Sequence, residues 1–205
     1  MTDKIRSFLR KIPSKFNPIA QIAESYLKYS SKIESDQSIK IAHNPAEFPE
    51  HYGISLYPAA EKSYFKQYLK NFDREIPSIY KEFLQAINGA FILEMQLFGL
   101  TPSLYRHGLL DRTILQCLDV GSANSEWKHE YENISESEFH FGGRGWTETE
   151  NLGYFLNTDG RIFVKRKNGL ILAQYENFSD FLRPEIEASE KLYLSGPRKK
   201  SFKLP

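Results

Sequence analysis

The stretch from Ile76 to Phe98 constrains this chain most, because two hydrophobic periods meet there across a break. Ile79, Tyr80, Phe83, Leu84 and Ile87 recur at the spacing of one face of an α-helix. Pro77 falls at the first helical position, where its missing N–H breaks no helical bond. Asn88-Gly89 then supplies residues that tolerate a left-handed backbone and so end a helix. The apolar run that follows, Ala90 to Phe98, is too short to span a membrane and suits a buried strand near Phe91–Phe98. A helix that stops and feeds directly into a strand lays its apolar face back on the sheet.

Downstream, Phe139 and Phe141 alternate with His140 as a strand would, and Gly142-Gly143 read as the tight turn that ends it. A phosphate cradle needs a following helix N-terminus or a Lys-Ser/Thr pair. Thr147-Glu148-Thr149-Glu150 follows instead and would repel an anion. Asp159-Gly160 and Asn168-Gly169 are hairpin turns, since both pairs tolerate positive φ. They join the strands around Tyr154–Asn157, Arg161–Arg166 and Leu170–Ala173 into an antiparallel meander. Asn177 can cap a last helix with Asp180 in a capping-box arrangement, and Phe178, Phe181, Leu182 and Ile186 form its buried stripe. Pro184 predicts a kink or a restart in that helix.

The first third reads as mainly helical. Ile5, Phe8, Leu9 and Ile12 make a short amphipathic helix docked on the body, which we favour over a membrane-surface helix because Pro13 stops it early. Pro18 opens a second helix through Ile19, Ile22, Ala23, Tyr26 and Leu27. A polar string ends it, and residues 42–58, with Pro45, Pro49, Gly53 and Pro58, read as an extended loop carrying surface residues His43 and His51. Pro58 starts a third helix whose stripe Tyr64, Phe65, Tyr68, Leu69 and Phe72 reads as core rather than as a base-stacking surface. A long loop occupies residues 99–111, and a helix begins near Ser122, with Trp127 half-buried against the sheet.

At 205 residues with 40% apolar content the chain buries one domain's core. A net charge of +1 argues against direct nucleic-acid binding through a global field. Cys117, the single cysteine, lies in an apolar run and reads as a small buried hydrophobe. With no visible secretory signal, it points to a reducing cytoplasm. No stretch is long and apolar enough for a bilayer. Motifs for nucleophilic, phosphate-binding or metal chemistry are absent from the sequence, so no catalytic residue, metal or cofactor is expected. Glu148, Glu150 and Asp159 supply carboxylates, but nothing in the spacing sets two of them across a sugar.

The Ile-Pro at Ile76-Pro77, Tyr80, Phe83-Leu84 and the closing Asn88-Gly89 resemble the start of the SUKH superfamily. Gly142-Gly143, the run Gly153 to Phe163, and Phe178-Ser179-Asp180-Phe181-Leu182 resemble its closing strands and final helix. The likeness covers roughly the last two thirds of the chain. That superfamily contains bacterial immunity proteins and a fungal regulator of cell-wall assembly.

The resemblance implies an α+β domain. Joined to the elements above, it predicts a single mixed, mainly antiparallel sheet of about five or six strands with helices packed on it. An N-terminal helical extension (1–57) would pack on a SUKH-like domain (58–195), followed by a basic tail (196–205). The implied function is non-enzymatic: binding and neutralising a cognate toxin, often a nuclease. A regulatory or scaffold role is the alternative. The expected partner is a protein, without membrane or nucleic-acid contact, and the chain is expected as a monomer or weak dimer. Tyr105, Arg106, Arg144, Trp146, Glu148 and Glu150, all read as loop residues, are the candidate anchors. Glu126, Glu130, Glu132, Glu136, Glu138, Glu148 and Glu150 suggest a locally negative face.

Overall fold

The structure, a computed structural model, describes residues 1–44, 51–101, 117–145 and 151–195. Among them nine strands cross one antiparallel sheet in chain order: β1 (Ser31–Ile33), β2 (Ile39–His43), β3 (Tyr52–Leu56), β4 (Ala90–Ile92), β5 (Met95–Leu97), β6 (Phe139–Arg144), β7 (Leu152–Leu156), β8 (Ile162–Arg166) and β9 (Ile171–Tyr175). The helices are α1 (Thr2–Leu9), α2 (Asn17–Tyr26), α3 (Lys62–Asn71), α4 (Ser78–Ala86), α5 (Val120–Ser125) and α6 (Phe178–Ser195). The α+β class matches expectation, but the sheet is larger than predicted and every ladder in it is antiparallel.

Two local misreadings account for the missing strands. The polar string after α2 and the Pro-containing loop hold β1, β2 and β3, so residues 1–57 contribute three strands to the sheet and not helices alone. Their core residues Ile5, Phe16, Ile19, Ile41 and Ile54 are fully buried in the same cluster as the rest of the chain. The apolar run Ala90–Phe98 is a hairpin and not one strand. Leu93 takes a positive φ of 60° beside Glu94 and turns β4 back as β5.

Successive strand residues alternate between faces, so register defines rows across the sheet. One row reads Leu56, Ala90, Leu97, Gly142, Tyr154, Val164, Ala173. Phe139 and Phe141 lie on this same face, and α4 and α6 cover it. Tyr80 of α4 is fully buried, and its hydroxyl donates to the Phe98 carbonyl (2.5 Å) and the Phe141 carbonyl (2.9 Å). Its ring meets Phe141 at 5.2 Å. Phe141 meets Phe181 of α6 at 5.4 Å, and Phe16 meets Phe83 edge-on at 5.6 Å. The organising helix therefore lies on the sheet as its periodicity predicts. Pro77 is its N-cap, one position before the expected first turn.

Glu185 ties α6 to three strands from inside this layer. Its carboxylate accepts from Arg144 Nε (3.0 Å), Tyr154 Oη (2.9 Å) and Tyr175 Oη (3.0 Å), so a buried carboxylate is matched by three donors. The Asn177 cap forms as predicted: the Asp180 N–H donates to its Oδ1 at 3.0 Å, and its Nδ2 donates to Asp180 Oδ2 at 2.7 Å. The helix runs through Pro184 without the predicted restart. Pro184 stands in the second turn, where it frees only the Asp180 carbonyl. α3 begins at Lys62, not Pro58, and of its aromatic stripe only Tyr68 is buried, while Leu69 is 58% exposed.

Candidate functional site

The opposite face of the sheet carries a second row that passes through all nine strands: Lys32, Lys40, Ser55, Phe91, Gln96, Gly143, Gly153, Lys165, Ile171. At its centre Gly143 and Gly153 stand directly opposite one another, so the sheet there presents backbone and no side chain. Gly142-Gly143 are thus interior strand residues and not the expected turn. They permit close approach: a Cβ on Gly142 would stand 2.3 Å from the Gln96 carbonyl oxygen, and one on Gly143 2.5 Å from that of Leu152. The turn proper begins at Gly145, whose φ is +83°.

The Gly142-Gly143 backbone is the floor of a groove of about 290 Å³, while Gly153 lies under the Tyr131 ring, 2.7 Å from where its Cβ would be. Phe98, Trp127, Tyr131 and His140 form its aromatic wall, and Glu94, Gln96 and Asn151 supply the polar lining. The 3-10 turn after α5, Trp127–Glu130, and Tyr131 just beyond it bring two of these rings to the wall, and β6 and the end of β5 bring His140 and Phe98. Asp119 caps α5 by accepting from the Ser122 N–H at 2.8 Å. Asn124 then docks the helix on β6: its Oδ1 accepts from the His140 N–H (2.9 Å) and its Nδ2 donates to the His140 carbonyl (2.8 Å). A side-chain amide here satisfies both backbone groups of one strand residue, next to the register shift between His140 and Gly142.

His140 sits under this cover. Its ring stacks on Phe155 at 4.6 Å and is met edge-on by Phe98 (5.1 Å) and Tyr131 (5.3 Å). Nε2 lies 3.0 Å from the Gly142 carbonyl. Burial drives the imidazole pKa down to about 4, with the Ala123 and Gly142 carbonyls offsetting part of that effect. It is a neutral ring at physiological pH, and its environment is that of a wall residue and not of a general base open to substrate.

Two further groups on this side are desolvated. Lys40 is 4% exposed, with Nζ 4.6 Å above the Tyr57 ring and 3.4 Å from its hydroxyl, and burial lowers its pKa to about 8. Cys117 is buried, and burial raises its thiol to about 12, so it is a protonated small hydrophobe as predicted. Among the described residues no three His, Cys, Asp or Glu side chains stand close enough to hold a metal ion, and no helix is long and apolar enough to cross a membrane.

Of the sequence-predicted anchors, Tyr105, Arg106, Trp146, Glu148 and Glu150 lie outside the described residues. Arg144 is not a loop residue: it ends β6, and its guanidinium is held by Glu185. The groove is nonetheless lined by Leu118, Gly145 and Asn151, the residues at or near the ends of the segments 102–116 and 146–150 that carry the other five. The expected negative face is interleaved with lysines. Glu130 pairs with Lys167 (2.7 Å), Glu136 with Lys128 (3.1 Å), and Glu138 with Lys165 (2.5 Å) in a buried pair. His140, Asn124 and Tyr131 escaped prediction, because only the strand register and the docking of α5 bring them together. Trp127 is half-buried as expected and also faces the groove. Comparison with known proteins finds no matching family model and no curated relative of this chain.

Proposed function

We propose that this chain is a non-enzymatic protein-binding module, an immunity protein that binds and neutralises a cognate toxin through the groove face of its sheet. The observation that supports this most directly is the groove itself. A floor of strand backbone at Gly142-Gly143 lies beside an aromatic wall of Phe98, Trp127 and Tyr131, with polar groups at the rim. Aromatic side chains held by a scaffold give contact area at low entropic cost, which suits a binding anchor. The titratable groups near the groove support the same assignment. His140 is sealed and neutral, and Cys117 is protonated, so neither is poised as an acid, base or nucleophile. The resemblance to the SUKH superfamily supplies the toxin as partner.

Co-expression with the product of the neighbouring upstream gene tests this proposal. A tight one-to-one complex is expected, weakened about tenfold or more by Trp127→Ala. A complex that forms equally well with Trp127→Ala would remove the groove from the assignment. Unrelated housekeeping neighbours and no complex would remove the toxin.

A further inference from the structure

Two carboxamides that line the groove are left without hydrogen-bond partners among the described residues. Gln96 is 8% exposed and stands between Phe91 and Gly143 in the cross-sheet row. Asn151 is half-buried. Neither amide makes a side-chain hydrogen bond to any described group, although a buried carboxamide ordinarily does. Gln96 belongs to β5 and Asn151 immediately precedes β7, so the two flank the β6 backbone that forms the floor. The charged groups at the groove, by contrast, are engaged. Glu130 pairs with Lys167 at 2.7 Å, Arg144 with Glu185 at 3.0 Å, and Glu94, 6% exposed, already has a partner. In the wall, Phe98 and Trp127 meet edge-on at 5.7 Å, and crossed rings make a corner that receives a further apolar or aromatic side chain.

We infer, on the reading of the groove as the toxin-binding face, that it is specific for an uncharged peptide segment of the partner. An aromatic side chain of that segment enters the corner of Phe98, Trp127 and Tyr131, and the peptide groups on either side of it bond to Gln96 and Asn151. A carboxamide offers a donor and an acceptor together, which is the complement of a peptide group. A lysine or arginine anchor would lose its hydration here with no unengaged carboxylate to receive it. A nucleotide would bring a phosphate to a groove whose one lining cation, Arg144, is already held by Glu185. The occupant therefore differs from the basic anchor that a negative face would call for.

Titration of the full chain, followed by amide NMR, tests this with N-acetyl-phenylalanine N-methylamide, its lysine counterpart and adenosine as probes. The capped phenylalanine should bind with a dissociation constant of about 1 mM and shift the side-chain amides of Gln96 and Asn151. Capped lysine should bind about tenfold more weakly or worse. Gln96→Leu and Asn151→Ala should each weaken the capped phenylalanine about three- to tenfold. The thermal midpoint of Gln96→Leu should stay at or above that of the parent, because an unbonded amide gives way to an apolar group of similar size. Asn151→Ala, at a half-buried position, is the second variant that separates binding from folding. Both substitutions should weaken the toxin complex by a similar factor. No saturation by capped phenylalanine up to about 20 mM overturns the inference. So does equal or tighter binding of capped lysine or adenosine, or binding indifferent to both substitutions. A toxin complex that ignores both substitutions but is lost with Trp127→Ala overturns it too, and leaves the toxin-binding reading standing. Probe binding as expected with no toxin complex supports the preference for uncharged peptide and overturns the toxin alone.

Discussion

The two faces of the sheet are built from the same strands and do different things. The face under α4 and α6 is filled by large side chains whose few polar atoms are satisfied: the Tyr80 hydroxyl by two carbonyls, and the Glu185 carboxylate by three donors. The groove face is covered thinly by α5 and one 3-10 turn, has two glycines at its centre, and buries ionisable groups in His140, Lys40 and the Lys165–Glu138 pair. The contrast teaches that stability and availability have been separated across a single layer. One face holds the fold together, and the other keeps space and desolvated polar groups that add little to the core.

That contrast can be broken or sharpened by substitution. The largest effect belongs to the covered face. Tyr80→Ala should cost about 3–5 kcal/mol in denaturant unfolding, through the lost ring and the cavity it leaves. Tyr80→Phe should cost about 1–3 kcal/mol, because the Phe98 carbonyl loses the hydroxyl while the Phe141 carbonyl keeps only the Phe98 N–H, 2.9 Å away. If Tyr80→Ala costs no more than a groove-face change, the division of labour between the faces is wrong.

Acid should act next, and through the groove face. The folded chain holds His140 neutral down to about pH 4, whereas its ordinary value is 6.5. Between those limits the unfolded chain binds a proton that the folded chain does not. This contribution is full above pH 6.5, falls as pH falls through the window, and levels off near pH 4 after a loss of roughly 3 kcal/mol. Unfolding midpoints from pH 7 to pH 4 should therefore fall more steeply for the parent than for His140→Gln. Equal slopes would mean that the imidazole is hydrated and the aromatic wall open. The smallest effect is expected at Lys40. A buried ammonium with one long hydroxyl contact loses much of its hydration for little return, so Lys40→Met should change stability by less than about 1 kcal/mol or raise it slightly. A large destabilisation, read in the same unfolding assay, would show that this ammonium holds the N-terminal strands together.

Much of the covered face was legible in the sequence. The α4 stripe, the Asp159-Gly160 and Asn168-Gly169 turns, and the Asn177 cap are local signals, and each formed where its residues stand, with Gly160 and Gly169 at positive φ. The failures share one cause. β1 to β3 carry polar or proline-flanked sequence, because an antiparallel partner and not their own composition makes them strands. Gly142-Gly143 look like a turn to any local rule, yet they lie inside a ladder with partners on both sides. The groove was illegible for the same reason. It depends on Gly143 facing Gly153 and on Asn124 reaching His140, contacts between residues far apart in the chain.

Sequence alone determined the local grammar of this protein: where helices cap, where hairpins turn, and which stripe of α4 goes inward. Those outcomes depend on backbone preferences and hydrophobic periods that act within a few residues. Tertiary structure decided the number of strands, the identity of the two edges and the position of the groove. Strand register is set by pairing across the chain, and a shift of one residue exchanges the two faces of every strand.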